Sequence, residues 1–423
     1  MPKRFQLTTL LALLALGAAA CGTTSTHGTS SGASGCTGSV TVATELPVSG
    51  NDASDGLPTQ QGAVLAVDQA NANNTLNGCT ITVINKDDTS AATGAHDPTQ
   101  GASNMTALAG NQAVLGVVGA FNSNVCQAEE PIANDADLVM ISPSCTNPGL
   151  TIVGSNSSID TSSLRPTGKI TFFRVCTTDI GQGAGLAQVA TQTLKDTKAY
   201  VFDDQETYGA GLAATFTTDF TADGGTVVGH ASLPGSTTDF TSELTQAKAD
   251  GADLIFFGGT SSNGGGIIRK QMSDVGLGSV DFLGGDGIQD TQFFTEAGSA
   301  GDGAYSTVAA PNPADLSSAS AFVTAYKAKF NSDPGAYSAN AYDAMNIIIQ
   351  AIKEAIQTNG GKLPTSPTAF REAVRSNVAA IHYSGAIGVT SFDSNGDTTN
   401  KLLTLWKGSG GQWTYVSTLT VSS

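Results

Sequence analysis

AVLGVVGAFNSNVCQAEEPIANDADLVMIS, residues 113–142, decides the fold. Residues 113–118 form a short apolar run that reads as a buried strand. Residues 124–134 read as a helix and residues 138–142 as a second strand. Strand–helix–strand units of this kind build a parallel sheet covered by helices on both faces. The same alternation continues upstream. Residues 40–44 are β-prone, and residues 59–72 have helical spacing, with Ala63, Val64, Ala66, Val67 and Ala70 on one side. Residues 80–84 read as a strand, and Asp97-Pro98 opens a helix with Asp as cap and Pro in its first turn.

Downstream, residues 146–171 are irregular, and then the alternation restarts. Strand-like runs at 172–176, 199–202, 226–231, 254–257 and 281–283 alternate with helical ones at 183–194, 209–221, 240–249 and 264–275. Three helices (319–330, 338–359, 368–376) and three β-prone runs (388–392, 401–406, 413–419) complete the chain. A turn-forming Asp393-Ser394-Asn395-Gly396-Asp397 separates the first two of those runs. The fold class expected is α/β, as two doubly wound parallel-sheet lobes in series. Ligands of such sheets bind at the carboxyl ends of strands. The corresponding loops are 45–56, 87–97, 119–126, 142–148, 203–208, 258–264 and 284–290, rich in Ser, Thr, Asn and Asp.

The N-terminus reads as an export signal over residues 1–20: Lys3 and Arg4, then an apolar run of mostly Leu, Ala and Gly, ending at Ala18-Ala19-Ala20. The following Cys21 resembles the lipidated cysteine of bacterial lipoproteins, although Ala18 stands where Leu is usual. Residues 22–38 are almost entirely Gly, Ser and Thr, the composition of a flexible tether. The expected location is therefore the outer face of the cell membrane, held by a lipid. Across 423 residues the net charge is −17, which argues against a nucleic-acid partner.

Six cysteines with no C-x-x-C pair and four scattered histidines do not make a zinc site. In an exported chain the default is disulfides. Cys36 and Cys79 each precede a predicted strand and would lie side by side if those strands are parallel neighbours. One further bond among Cys126, Cys145 and Cys176 is expected, and the sequence does not choose it.

Catalytic motifs are weak. Gly168-Lys169 lacks the phosphate-loop glycines, and Gly181-Gln182-Gly183-Ala184-Gly185 lacks the last glycine and the preceding strand of a dinucleotide turn. Gly28-Thr29-Ser30-Ser31-Gly32 lies in the tether rather than between a strand and a helix. Adjacent acids at 87–88, 129–130 and 203–204 read as helix caps or solvent-facing groups. Only His96 falls in the cleft loops, so a nucleophile–His arrangement is missing. No enzyme activity, cofactor or metal is expected.

From about residue 40 to 397 the chain resembles the type I periplasmic binding proteins of branched-chain amino-acid ABC importers. The matching pieces run in order: Leu46-Pro47-Val48-Ser49-Gly50, Asp87-Asp88 with His96-Asp97-Pro98, Val118-Gly119 with Ser123, and Met140-Ile141-Ser142-Pro143-Ser144-Cys145-Thr146. Phe173-Arg174-Val175 with Asp179 and Gln182-Gly183 follows, then Tyr208-Gly209, Phe257-Gly258-Gly259 and Tyr342-Asp343-Ala344.

The resemblance implies two lobes, 39–174 plus 309–388 and 175–308 plus 389–423, joined by crossovers near 174–177, 308–312 and 388–391. It implies a monomeric receptor that closes on a small ligand, an amino acid or similar, and delivers it to ABC permease and ATPase subunits. It places the ligand's carboxylate at Ser123, Ser144 and Thr146, its ammonium at Asp286, and Tyr208 and Tyr337 against it. Asp286 is one carbon shorter than the Glu common there. Ser54 or Asp55, and Thr260, stand where aromatics are often found. The implied pocket is thus more polar than one for Leu or Val. Two other readings remain open: a sensor of the same fold without transport, and a secreted α/β hydrolase.

Overall fold

A computed structural model describes residues 35–156 and 158–420. The expected leader, Cys21 and residues 22–34 of the tether lie outside them. The first stretch alternates as read: β1 (Ser39–Glu45), α1 (Ala53–Ala72), β2 (Thr80–Lys86), α2 (Pro98–Gly110), β3 (Val114–Gly119), α3 (Ser123–Asp135), β4 (Val139–Ser142), a short α4 (Thr161–Leu164) and β5 (Phe172–Arg174). Asp97 accepts a hydrogen bond from Thr99 N at 2.8 Å, so α2 starts at the Asp-Pro signal. The second stretch is α5 (Asp179–Gln188), β6 (Lys198–Asp203), α6 (Thr207–Ala222), β7 (Thr226–Ser232), α7 (Thr241–Ala249), β8 (Leu254–Gly258), α8 (Gly265–Asp274), β9 (Asp281–Gly284), α9 (Thr291–Ala297) and β10 (Tyr305–Val308). Then come α10 (Ser320–Phe330), α11 (Ser338–Thr358), α12 (Pro367–Ala379), β11 (Tyr383–Gly385), β12 (Gly388–Thr390), β13 (Leu402–Ser409) and β14 (Gln412–Thr420).

The first sheet is parallel, in the order β2-β1-β3-β4-β5. β3 and β4 are buried along their whole length, as strands covered on both faces must be. α1, α10, α11 and α12 pack on one face; α2 and α3 pack on the other. A Cβ on Gly62 would lie 2.1 Å from Ser338 O, so that glycine lets α1 and α11 meet backbone to backbone.

The second sheet runs β14-β13-β10-β9-β8-β6-β7. Its five strands β6 to β10 are parallel, and β13 and β14 add as an antiparallel hairpin, so this sheet is mixed rather than wholly parallel. β10, α9 and β11 had no counterpart in the sequence reading.

Three passages of chain join the sheets: β5 to α5, β10 to α10, and β12 to β13. They are stitched to one another. Thr177 N donates to Ala309 O at 3.0 Å, and Thr404 Oγ1 donates to Ala310 O at 3.0 Å. Arg174 Nε lies 2.6 Å from Asp397 Oδ1, with both groups buried.

β1 and β2 are parallel neighbours, which sets Cys36 beside Cys79, and the two form a disulfide. The second disulfide is Cys126–Cys145, and Cys176 keeps a buried thiol. The solvent-facing reading of the adjacent acids fails: Asp88, Glu129, Glu130, Asp203 and Asp204 are buried, although Asp203 and Asp204 accept from Gln205 N and Glu206 N in the turn that leads into α6.

Candidate ligand cleft between the two sheets

Each sheet reverses its strand order beside its first strand, between β1 and β3 and between β6 and β8. Crevices open at such reversals, beyond the carboxyl ends of the strands. The loops leaving β3 and β4 supply one wall of the cleft. Ser123 is the first residue of α3, and Ser144 and Thr146 lie in the loop after β4. The Cys126–Cys145 disulfide ties the first turn of α3 to that loop.

The wall is held from behind by Arg174, whose Nη1 donates to Cys145 O at 2.9 Å and to Asn147 O at 2.8 Å. Its Nη2 donates to Thr151 Oγ1. The guanidinium is fully buried and spends its donors on backbone, Thr151 and Asp397. Burial alone would lower its pKa; attraction from Asp397 more than reverses this, so the charge stays.

The three hydroxyls of this wall differ. Ser144 Oγ donates to Phe121 O at 2.9 Å, so its proton serves the loop. Ser123 Oγ accepts from Asn147 N at 3.3 Å and keeps its own proton to give. Thr146 Oγ1 is buried with no hydrogen-bond partner among the described residues, and so is Asn122 Oδ1, just before α3. The opening N–H groups of a helix lack intrahelical acceptors and carry its positive end. The start of α3 therefore brings donors suited to a carboxylate.

The opposite wall centres on Asp286, in the turn after β9. Tyr208 OH donates to its Oδ1 at 2.8 Å, Gln182 Nε2 donates to the same oxygen at 2.6 Å, and Tyr337 OH donates to Oδ2 at 2.6 Å. Thus three expected site residues, Tyr208, Asp286 and Tyr337, form one buried network. Gly287 N donates to Tyr208 OH and Ala309 N to Tyr337 OH, which fixes both phenols.

Gln182 also donates to Asp179 Oδ1 at 2.9 Å, and Asp179 N donates to Thr146 O at 3.0 Å, so α5 links the two walls. Burial, then repulsion by Asp286, pushes the Asp179 carboxyl up to about 8. Burial also raises Asp286, against the pull of its three donors. Among the described residues no Lys, Arg or His forms an ion pair with either acid. A buried acid pair of this kind lacks a positive group between its members. Asp179 and Gln182 were quoted in the sequence only as motif residues; nothing there assigned them to the site.

The sequence profile of the periplasmic binding protein family matches residues 39–411. The chain belongs to that family. Leu/Ile/Val-binding protein homolog 3 of Brucella melitensis is 27% identical over 359 residues, 84% of this chain and 90% of its own. The leucine-binding protein LivK of Thermotoga maritima superposes with a TM-score of 0.75 at 25% identity, covering 90% of this chain and 98% of that one. LivJ of Streptococcus pneumoniae, a branched-chain amino-acid transporter substrate-binding protein solved with isoleucine, gives 0.74 at 25% identity, over 89% of this chain and 100% of that one.

Proposed function

We propose that this protein is an extracytoplasmic solute receptor that captures an amino acid or close relative between its lobes and hands it to an ABC importer. The observation that carries the reading is the buried Asp286–Asp179 pair, without a partner cation, facing a wall of hydroxyl and helix-start donors. An α-ammonium fills the first need and an α-carboxylate the second. The family membership supports a binding role rather than catalysis, on the cytoplasm's outer side. In this reading the lobes are 39–174 plus 309–388 and 175–308 plus 389–423. Cys21 carries the anchor, and the partners are a permease and its ATPases, met by a monomer.

A thermal-shift screen of the purified protein against amino acids, amides and small carboxylates tests this. A ligand at about 100 times its Kd adds ~2.7 kcal/mol, a shift of a few degrees. Asp286→Asn is expected to weaken the active amino acid by about 2–5 kcal/mol, as for one member of a buried charge pair. A shift with carboxylates or amides but with no amino acid would remove the ammonium reading.

A further inference from the structure

Beyond Tyr337 the space between the sheets widens into a cavity of about 580 Å³. Its walls come from α1, α10, the passage after β10 and the β13–β14 hairpin. Trp406, Trp413 and Phe294 give it aromatic surface, and Asp55 and Asp290 line it with carboxylates. The cavity adjoins the Asp286 network: Tyr337 packs with Val308 and Ala336, and both also line the cavity.

The charges here do not balance. Lys327 lines the cavity too, but it is ion-paired with Asp333. Asp290 accepts from Ser261 Oγ and Phe293 N, both at 2.8 Å, and from Ser54 Oγ at 3.3 Å; it has no ion-pair partner among the described residues. Nor has Asp55, which has no side-chain hydrogen bond there either. Asp55 is half-buried and lines the cavity. Burial, with repulsion by Asp290, Asp52 and Asp286, drives its pKa well above the usual carboxylate range. Nearby Asp52 is already engaged by His96. A recess that holds acidic side chains without a paired cation, beside aromatic faces, favours a cation twice: its charge lets the raised acids ionise, and the ring quadrupoles attract it.

We propose that this cavity receives a positively charged arm of the ligand, so that the receptor's substrate class is a basic amino acid, with a terminal ammonium or guanidinium, rather than a branched-chain one. This rests on the capture of the α-ammonium at Asp286. Polar residues where the family's pocket carries aromatics, Ser54 and Asp55, then form the end of the site that sets specificity.

Titration calorimetry with L-lysine, its uncharged-tail analogue L-norleucine, L-arginine and cadaverine tests the inference. Lysine or arginine is expected to bind at least about tenfold tighter than norleucine. Asp55→Asn is expected to bring that ratio close to one. Asp290→Asn, whose amide oxygen can still cap α9, is expected to lower it as well, which guards against misfolding of a single variant. Norleucine binding as tightly as lysine, or a ratio untouched by both substitutions, overturns the inference and leaves the amino-acid receptor standing. Binding of cadaverine alone overturns the amino-acid reading while keeping the cation preference of the cavity. Failure of all four probes, with another amino acid binding in the thermal-shift screen, overturns the inference alone; failure there as well overturns both.

Discussion

Arg174 shows how much one residue can hold. Its guanidinium is fully buried and reaches Asp397, Thr151 and two carbonyls of the loop after β4. Removing the partner of such a pair leaves an uncompensated charge in the interior. Asp397→Asn is therefore expected to cost about 3–5 kcal/mol, read from denaturant unfolding at neutral pH. The pH dependence follows with a definite sign. Burial would raise the Asp397 pKa, but Arg174 outweighs it and holds the value below the usual one. The pair's contribution is then full above ~4 and is lost as pH falls through the folded value. The variant should lack that part of the acid limb, and an unchanged limb would remove Asp397 from this role. The sequence showed Arg174 only as part of a motif, because two of its acceptors are main-chain carbonyls, which no side-chain pattern reveals. Ser144 was legible as a polar loop residue, but not that Phe121 O would take its proton. Gln182 was overlooked as a site residue because an amide near a helix start looks the same whether it meets solvent or a buried Asp286.

At the scale of elements, the end of β1, the loop after β2 and helix α3 bring together Glu45, Asp88 and Glu129, all buried. Asn104 of α2 donates to Glu45 Oε1 at 3.0 Å, while Asp88 and Glu129 find no N–H or hydroxyl donor among the described residues. Three carboxylates at close quarters satisfy one another only by sharing protons, one acid donating to the next. Burial is the chief cause that raises all three pKa values, and Glu45 adds repulsion to the other two. A carboxyl raised in the folded state costs stability as pH climbs above its unfolded value near ~4, by up to ~1.4 kcal/mol per unit for each proton retained. Glu129→Gln, which keeps the shape and can donate, is expected to flatten the loss of thermal stability between mildly acidic and alkaline pH. A slope equal to the parent's would show that Glu129 releases its proton as in water. The sequence read Asp88 and Glu129 as helix caps or solvent-facing groups because adjacent charges usually are solvated. It did find the long helices, since α11 repeats buried apolar residues such as Ile348, Ile352 and Ile356 along one face. It missed β10, a four-residue Tyr-Ser-Thr-Val strand too short to show a period.

Across the whole molecule, the lobes are bridged by His96. Its Nδ1 lies 2.8 Å from Asp52 Oδ2 and its Nε2 2.8 Å from Glu206 Oε2, just before α6. Asn124 donates to that same Glu206 oxygen at 3.1 Å. Burial would lower the imidazole pKa, but Asp52 and Glu206 raise it well above the usual value, and Asp88 and Asp204 also feel its charge. The bridge is at full strength below ~6.5 and is lost as pH rises through the folded value. Small-angle scattering of the ligand-free protein should show expansion over that rise, and His96→Gln should be expanded already at neutral pH. An equal radius of gyration for parent and variant at every pH would deny the bridge a part in closure. The three stitched passages of chain leave such opening as a hinge motion. The two-lobed plan was legible because the strand–helix alternation restarts after residue 171; the bridge was not, since it joins residues 110 positions apart. The Cys36–Cys79 bond, finally, has a mechanical consequence. It lies at the amino ends of β1 and β2, while the loops of the candidate cleft leave the carboxyl ends. A tug on the chain from its N-terminal side enters at Cys36 and is shared by two strands in shear, so β1 is not peeled from the sheet and the strain is taken up far from the cleft.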